Sequence, residues 1–128
     1  AAHRLARLLQ VCCEAEASEG AEPRVPEPLR APGAVAEFSS NLAQGQRDRL
    51  LRRFREARVR CLVCSDVVAR GIDIPEVSLV INYSAPQYLQ TYIHRVGRTA
   101  RAGRSGQTLT LVKRAEWDGF ADMLRGSA

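Results

Sequence analysis

Short β-rich runs alternate with stretches of helical periodicity along this chain, and few architectures accommodate that order. Val35–Phe38, Val59–Cys64, Val77–Tyr83 and Gln107–Val112 read as strands. A helix is expected from about Ala43 to Ala57, with Leu50, Leu51 and Phe54 facing inward. Another is expected from Tyr88 to about Val96, after Pro86. Parallel neighbours need such crossover helices, so the order predicts an α/β domain with a mainly parallel sheet. At 128 residues there is room for one domain and a single core. A last helix from about Ala115 offers Trp117, Phe120 and Leu124 as an apolar stripe for core packing, despite Gly119. The chain opens inside a helix, where Leu5, Leu8, Leu9 and Cys12 repeat at helical spacing and Arg4 and Arg7 lie on other faces. No cap or strand precedes that helix, so the domain is expected to begin upstream of Ala1.

One stretch breaks the alternation. From about Glu14 to Gly33, glutamates alternate with small residues, and Pro23, Pro26, Pro28 and Pro32 interrupt any helix. Twenty residues without periodicity are long for a connection within a compact domain, so 14–33 is read as a disordered acidic, Pro-rich insertion. Four cysteines raise the question of zinc or disulfides. Cys12 and Cys13 are adjacent, and Cys61 and Cys64 lie three apart on a strand, which turns their side chains to opposite faces. All four are read as reduced, mostly buried thiols of an intracellular protein, with no metal expected. No apolar run approaches the roughly 20 residues that cross a bilayer, so no membrane partner is expected.

The charge is concentrated in arginine. Net charge is +5, and Lys113 is the only lysine. His94-Arg-Val-Gly-Arg-Thr-Ala-Arg101 sets guanidinium groups at 95, 98 and 101, and Arg104 continues the spacing. Residues three apart share a helix face, where like charges repel by roughly 0.2–0.5 kcal/mol per pair. An anion on that face would reverse the sign, and arginine grips phosphate through a planar, permanently charged fork. Gly97 lets backbone or ligand approach closely. Gln44 and Arg47 lie on one side of the first turn of their helix, where helix N-termini favour anions. Ser65-Asp-Val-Val-Ala-Arg-Gly-Ile-Asp73 begins at the carboxyl end of a strand, the edge where parallel sheets bind ligands. Backbone donors near Gly71 suit a phosphate and Asp73 suits ribose hydroxyls. Equally, Asp73 could satisfy a turn before Pro75, and Arg70 could pair with Asp66.

Gln44-Gly-Gln-Arg47, Ser65–Asp73 and His94–Arg101, in this order, resemble the second RecA-like domain of DEAD-box ATP-dependent RNA helicases. The similarity runs over most of Ala34–Val112. It implies a RecA-like three-layer sandwich whose first strand is missing before Ala1. It also implies roles. Arg98 and Arg101 reach the γ-phosphate of ATP, Arg101 as the arginine finger, and Asp73 contacts the ATP ribose. Arg47, Ser65 and the backbone at Gly71 hold RNA phosphates. Gln44, Arg70 and His94 couple the site to the N-terminal RecA-like domain of the same protein, which holds most of the ATP and its Mg2+. The implied partner is single-stranded or locally structured RNA. Val35-Ala-Glu-Phe-Ser-Ser40 and Gln87-Tyr-Leu-Gln-Thr-Tyr92 further look like the branch that works on large-subunit ribosomal RNA in the nucleolus.

Ser65 stands where the family usually has threonine, and Ala100 where it commonly has glycine. The phosphate-binding lysine loop, the DEAD carboxylates and the adenine-recognising glutamine are absent from these 128 residues. The chain alone is therefore expected not to hydrolyse ATP. A non-catalytic RNA clamp derived from a helicase domain is the alternative; Arg98, Arg101 and Asp73 together favour the enzyme. A DNA translocase is disfavoured by His94 and by Gln44 with Arg47.

Overall fold

The computed structural model describes residues 2–15, 27–69, 77–101 and 103–126. They form two compact units, Ala1–Ile72 and Asp73–Ala128, each described by itself. In the first, β1 (Val35–Phe38) and β2 (Cys61–Cys64) pair in parallel, Val35 opposite Cys61 and Phe38 opposite Cys64. Helix α1 (Ala2–Ala15) covers the face bearing Val35, Glu37, Cys61 and Val63. Its packed stripe is Ala2, Leu5, Ala6, Leu9 and Cys13, whereas Leu8 is 62% exposed and Cys12 is exposed. The expected stripe is thus displaced, because small residues at 6 and 13 let the helix backbone approach the strands. Two polar contacts fix its setting: Gln10 Nε2 donates to the Val35 carbonyl at 2.9 Å, and His3 Nδ1 meets Glu37 Oε2 at 2.7 Å.

The other face of this pair carries Phe38, which is wholly buried. Helix α3 (Gln44–Arg55) is the β1–β2 crossover and packs against β1, burying Leu51. Its N-terminus has half a capping box: Gln46 Oε1 accepts the Ala43 N–H at 2.9 Å, while Ala43 has no side-chain acceptor to return. A turn, α4 (Asp66–Ala69), follows β2. Within the expected insertion, residues 16–26 lie outside the described residues. Glu14 and Ala15 close α1, and Glu27–Arg30 form a helical turn, α2, whose Leu29 packs against the core.

In the second unit, β3 (Leu79–Asn82) and β4 (Gln107–Thr110) are also parallel, with Leu79 opposite Gln107 and Asn82 opposite Thr110. Helix α5 (Leu89–Val96) is their crossover. The expected parallel sheet therefore occurs, among the described residues, as two parallel pairs. A 3-10 turn (Arg114–Glu116) leads into α6 (Trp117–Arg125). Phe120 of α6 meets Tyr92 of α5 edge to face, with ring centres 5.9 Å apart. Trp117 remains 57% exposed, so the expected packing stripe works through Phe120 and not through the tryptophan. No described helix is long and apolar enough to cross a membrane.

All four cysteines are free thiols, but only Cys13 is buried; Cys61 and Cys64 are half-buried. Burial, and then the neighbouring Cys13 and Cys64, push the Cys61 thiol above its ordinary value of 9.0. A group whose folded-state pKa is raised adds stability below its unfolded value and loses it as pH climbs towards the folded one. Unfolding free energy is thus expected to fall as pH rises above 9.0, and less steeply in Cys61→Ala. Equal slopes in the two proteins would contradict this. At neutral pH, a thiol reagent should modify Cys12 first.

Candidate functional site

Two groups of the expected residues are described, one in each unit. In the first unit, α3 and Ser65 each follow the carboxyl end of a strand, and those strands are parallel neighbours. Gln44, Arg47 and Ser65 therefore belong to one edge of the β1–β2 pair, the edge where α/β sheets bind ligands. Gln44 is exposed and its amide donates to Asp48 Oδ1 at 2.8 Å, one turn along. Arg47 lies beside the inward face of α3 and is half-buried. Its Nε is buried and, among the described residues, has no hydrogen-bond partner. A buried charged donor left unsatisfied is costly, and an anion at this helix N-terminus would satisfy it. Ser65 is exposed. Arg70, Gly71 and Asp73 lie outside the described residues.

In the second unit, the arginine-rich segment does not form one helix face. Helix α5 ends at Val96, and only Arg95 of the four spaced arginines is helical. Gly97 caps the helix. A Cβ there would sit 2.9 Å from the Ile93 carbonyl, so the close approach that needs glycine is to the helix backbone itself. The Arg98 and Thr99 amides then donate to the Arg95 and Val96 carbonyls at 3.3 and 3.0 Å, and the chain leaves in a tight turn.

That turn is anchored to residue 77, just before the amino end of β3. The Val77 N–H donates to the Arg98 carbonyl at 3.2 Å, and the buried Thr99 hydroxyl donates to the Val77 carbonyl. Each arginine is then held differently. Arg95 is tethered inward, donating through Nη1 to the Ser84 carbonyl at 2.7 Å and lying 3.5 Å from Asn82 Oδ1. Asn82 is buried, and its amide nitrogen donates to Thr110 Oγ1 at 3.0 Å, linking β3 to β4. Arg98 is half-buried. Arg101 is exposed, with its Nε turned back onto the Gly97 carbonyl. His94 is exposed in the last turn of α5.

Sequence reading missed the supports of this turn. Thr99, given no role in the sequence motif, is the buried anchor. A Cβ at Gly106 would run into the Thr99 side chain and lie 2.6 Å from the Ala100 nitrogen. Ala100 has φ +55°, a left-handed conformation that side chains resist, which explains why glycine suits this position. Relief of roughly 1–2 kcal/mol of strain, less about 0.4–1 kcal/mol of added chain entropy, predicts that Ala100→Gly stabilises the fold modestly. A lower denaturation midpoint for Ala100→Gly would refute that account.

Among the described residues, no group of histidine, cysteine, aspartate or glutamate is arranged to hold a metal ion. What these side chains offer chemically is positive charge and hydrogen-bond donors.

Comparison with known proteins gives a consistent result. Residues 27–103 match the family described as helicase conserved C-terminal domain. The chain is 52% identical over 91 residues to the mouse (Mus musculus) ATP-dependent RNA helicase DDX51, covering 71% of this chain and 14% of that protein. It is 55% identical over 78 residues to the ATP-dependent RNA helicase dbp8 of Aspergillus clavatus, covering 61% and 15%. The chain thus spans about one seventh of the length of these relatives. Among solved structures, it resembles the C-terminal domain of the DEAD-box protein Dbp5, with TM-score 0.64, 36% identity, and coverage of 73% of this chain and 56% of that one. Domain 2 of the DEAD-box helicase Mss116p bound to an RNA duplex gives TM-score 0.61 at 36% identity, covering 71% and 36%.

Proposed function

Because this chain belongs to the helicase conserved C-terminal domain family, as a domain of the DEAD-box RNA helicase kind, we propose that it serves as the RNA-gripping, arginine-supplying half of an RNA-dependent ATPase. Arg47, Ser65 and the backbone at Gly71 hold RNA phosphates. Such contacts fix the strand's register without reading its sequence, so binding is sequence-tolerant and weakens with salt. Asp73 meets the ribose of ATP. Arg98 and Arg101 face the γ-phosphate of an ATP held, with Mg2+, mainly by an N-terminal RecA-like domain of the same protein. Arg101 is the finger that stabilises charge developing in the transition state. Gln44, Arg70 and His94 carry the coupling between the two domains. Closure on ATP and RNA, followed by opening after hydrolysis, would separate short duplexes.

The observation that carries this reading is the anchored turn. Thr99 and the Arg98 carbonyl are bonded to residue 77, which leaves Arg101 exposed on a braced loop. A group that must meet a phosphate on another domain needs that combination of exposure and support. The buried Arg47 Nε adds support on the RNA side. Similarity of Val35–Ser40 and Gln87–Tyr92 to the ribosomal-RNA branch makes large-subunit ribosomal RNA the proposed substrate and the nucleolus the proposed site of action.

The test is ATP hydrolysis by the full-length protein with and without saturating single-stranded RNA. RNA-stimulated turnover is the expected result. Tight RNA binding with no turnover would reject the enzyme and leave a clamp.

A further inference from the structure

Helix α3 carries a second arginine cluster that has no part in the proposed ATPase. Leu51, with the half-buried Leu50, Phe54 and Arg47, marks its inward side. Arg49, Arg52, Arg53 and Glu56 recur at i, i+3, i+4 and i+7 on the opposite side, all exposed. With Arg58 they line a shallow cavity of about 360 Å3, wide open to solvent.

Backbone geometry brings Arg58 into this group. Ala57 has φ +56°, and beyond it the Arg58 N–H returns to the Arg53 carbonyl at 2.9 Å. The Ala57 N–H closes on the Phe54 carbonyl at 3.0 Å. These are the paired bonds of a Schellman turn, built here on alanine where glycine is usual. Two guanidiniums are further held in place, Arg49 Nε on the Gly45 carbonyl at 3.1 Å and Arg58 Nε on Glu56 Oε2 at 3.2 Å.

A bland explanation covers only part of the cluster. Cations in a last helical turn interact favourably with the helix dipole, which accounts for Arg52 and Arg53. Arg49 lies earlier in the helix and Arg58 lies past its end. Like charges three and four apart also destabilise a helix. Four guanidiniums facing a single carboxylate around one concavity match a chain of phosphates, which planar arginine forks bind well.

We propose that this cavity is an auxiliary RNA site, holding the phosphodiester backbone of a segment that flanks the strand gripped at Arg47. The inference rests on the proposed RNA-binding function. Arg53 lies six positions after Arg47, about 9 Å along the helix axis, and the two point about 120° apart round a cylinder about 10–12 Å wide. An RNA that continues round α3 from Arg47 meets the cavity. The site therefore lengthens the RNA footprint.

The experiment compares three forms of the full-length protein: wild type, Arg49→Gln/Arg52→Gln/Arg53→Gln, and the charge-keeping Arg49→Lys/Arg52→Lys/Arg53→Lys. Each is titrated with a single strand long enough for one helicase site and with the same strand extended by a hairpin. Wild type is expected to gain affinity on extension, the glutamine variant to lose that gain, and the lysine variant to keep most of it. The slope of log affinity against log salt on the extended RNA should shrink by about 2–3 in the glutamine variant, at roughly 0.7–0.9 for each phosphate no longer neutralised. A glutamine variant with the full gain and slope overturns the proposal. So does an equal loss in the lysine variant, which would trace the effect to packing instead of charge. Wild type that binds the short strand without gain on extension overturns this inference alone; wild type that binds neither RNA overturns the RNA-binding function with it. Loss of polyglutamate binding with the RNA gain intact would assign the face to an acidic polypeptide, also against the proposal.

Discussion

Arg101→Ala is expected to slow single-turnover ATP hydrolysis by about 10³-fold or more in the full-length protein at saturating RNA, with ATP and RNA still bound. The expectation follows from where the charge is needed. An arginine finger acts on charge that develops as the γ-phosphoryl group leaves, so its loss falls on the chemical step and less on ground-state binding. Arg101 is exposed and its Nε lies on the Gly97 carbonyl, so alanine removes a guanidinium without opening a cavity. The unfolding midpoint should consequently stay near that of wild type. Arg95→Ala provides the contrast. That guanidinium is bonded to the Ser84 carbonyl just beyond the end of β3, and its removal should lower stability as well as rate. An unchanged, genuinely RNA-stimulated rate in Arg101→Ala would move the catalytic charge to another residue.

Phe38→Ala is expected to cost about 3–5 kcal/mol of unfolding free energy, enough to threaten a domain whose total stability is typically about 5–15 kcal/mol. Phe38 is fully buried on the face of the β1–β2 pair away from α1. It is also the last residue of β1, six positions before the helix that carries Gln44 and Arg47. The substitution should therefore weaken RNA binding together with stability, whereas Arg101→Ala should leave both near wild type and lower only the rate of hydrolysis. Denaturant unfolding of the two proteins, followed alongside RNA affinity, makes the comparison. A cost below about 1.5 kcal/mol would mean that the site collapses around the missing ring or that the core lies elsewhere.

The elements that sequence reading located well are those whose signal is local. Val35–Phe38 is a strand over its expected span, and α3 lies within one or two residues of its expected ends. Apolar residues recurring at 2 or 3.6 positions report burial on one face, and crossover helices between strands report a parallel pairing. The family was legible for a similar reason. A family keeps residue types at set spacings, and Gln44–Arg47, Ser65–Asp73 and His94–Arg101 carry such spacings in a fixed order.

Spacing also misled. Arginines at 95, 98, 101 and 104 suggest one helix face, but Gly97 ends the helix and a left-handed Ala100 turns the chain. Nothing in an alanine announces a positive φ, since the usual signals for that conformation are glycine and asparagine. Leu8 fits the helical period of α1 yet is exposed, because small residues at 6 and 13 decide which side of the helix approaches the sheet.

The sequence by itself thus determined the class of fold, the parallel pairing and the family. Tertiary structure alone decided which of the arginines are tethered and which are presented. Thr99 finds Val77 across 22 positions, Gln10 finds Val35 across 25, and Asn82 finds Thr110 across 28. Those partners are chosen by how strands and helices meet in space, and no periodicity along the chain encodes a hydrogen bond between residues that far apart.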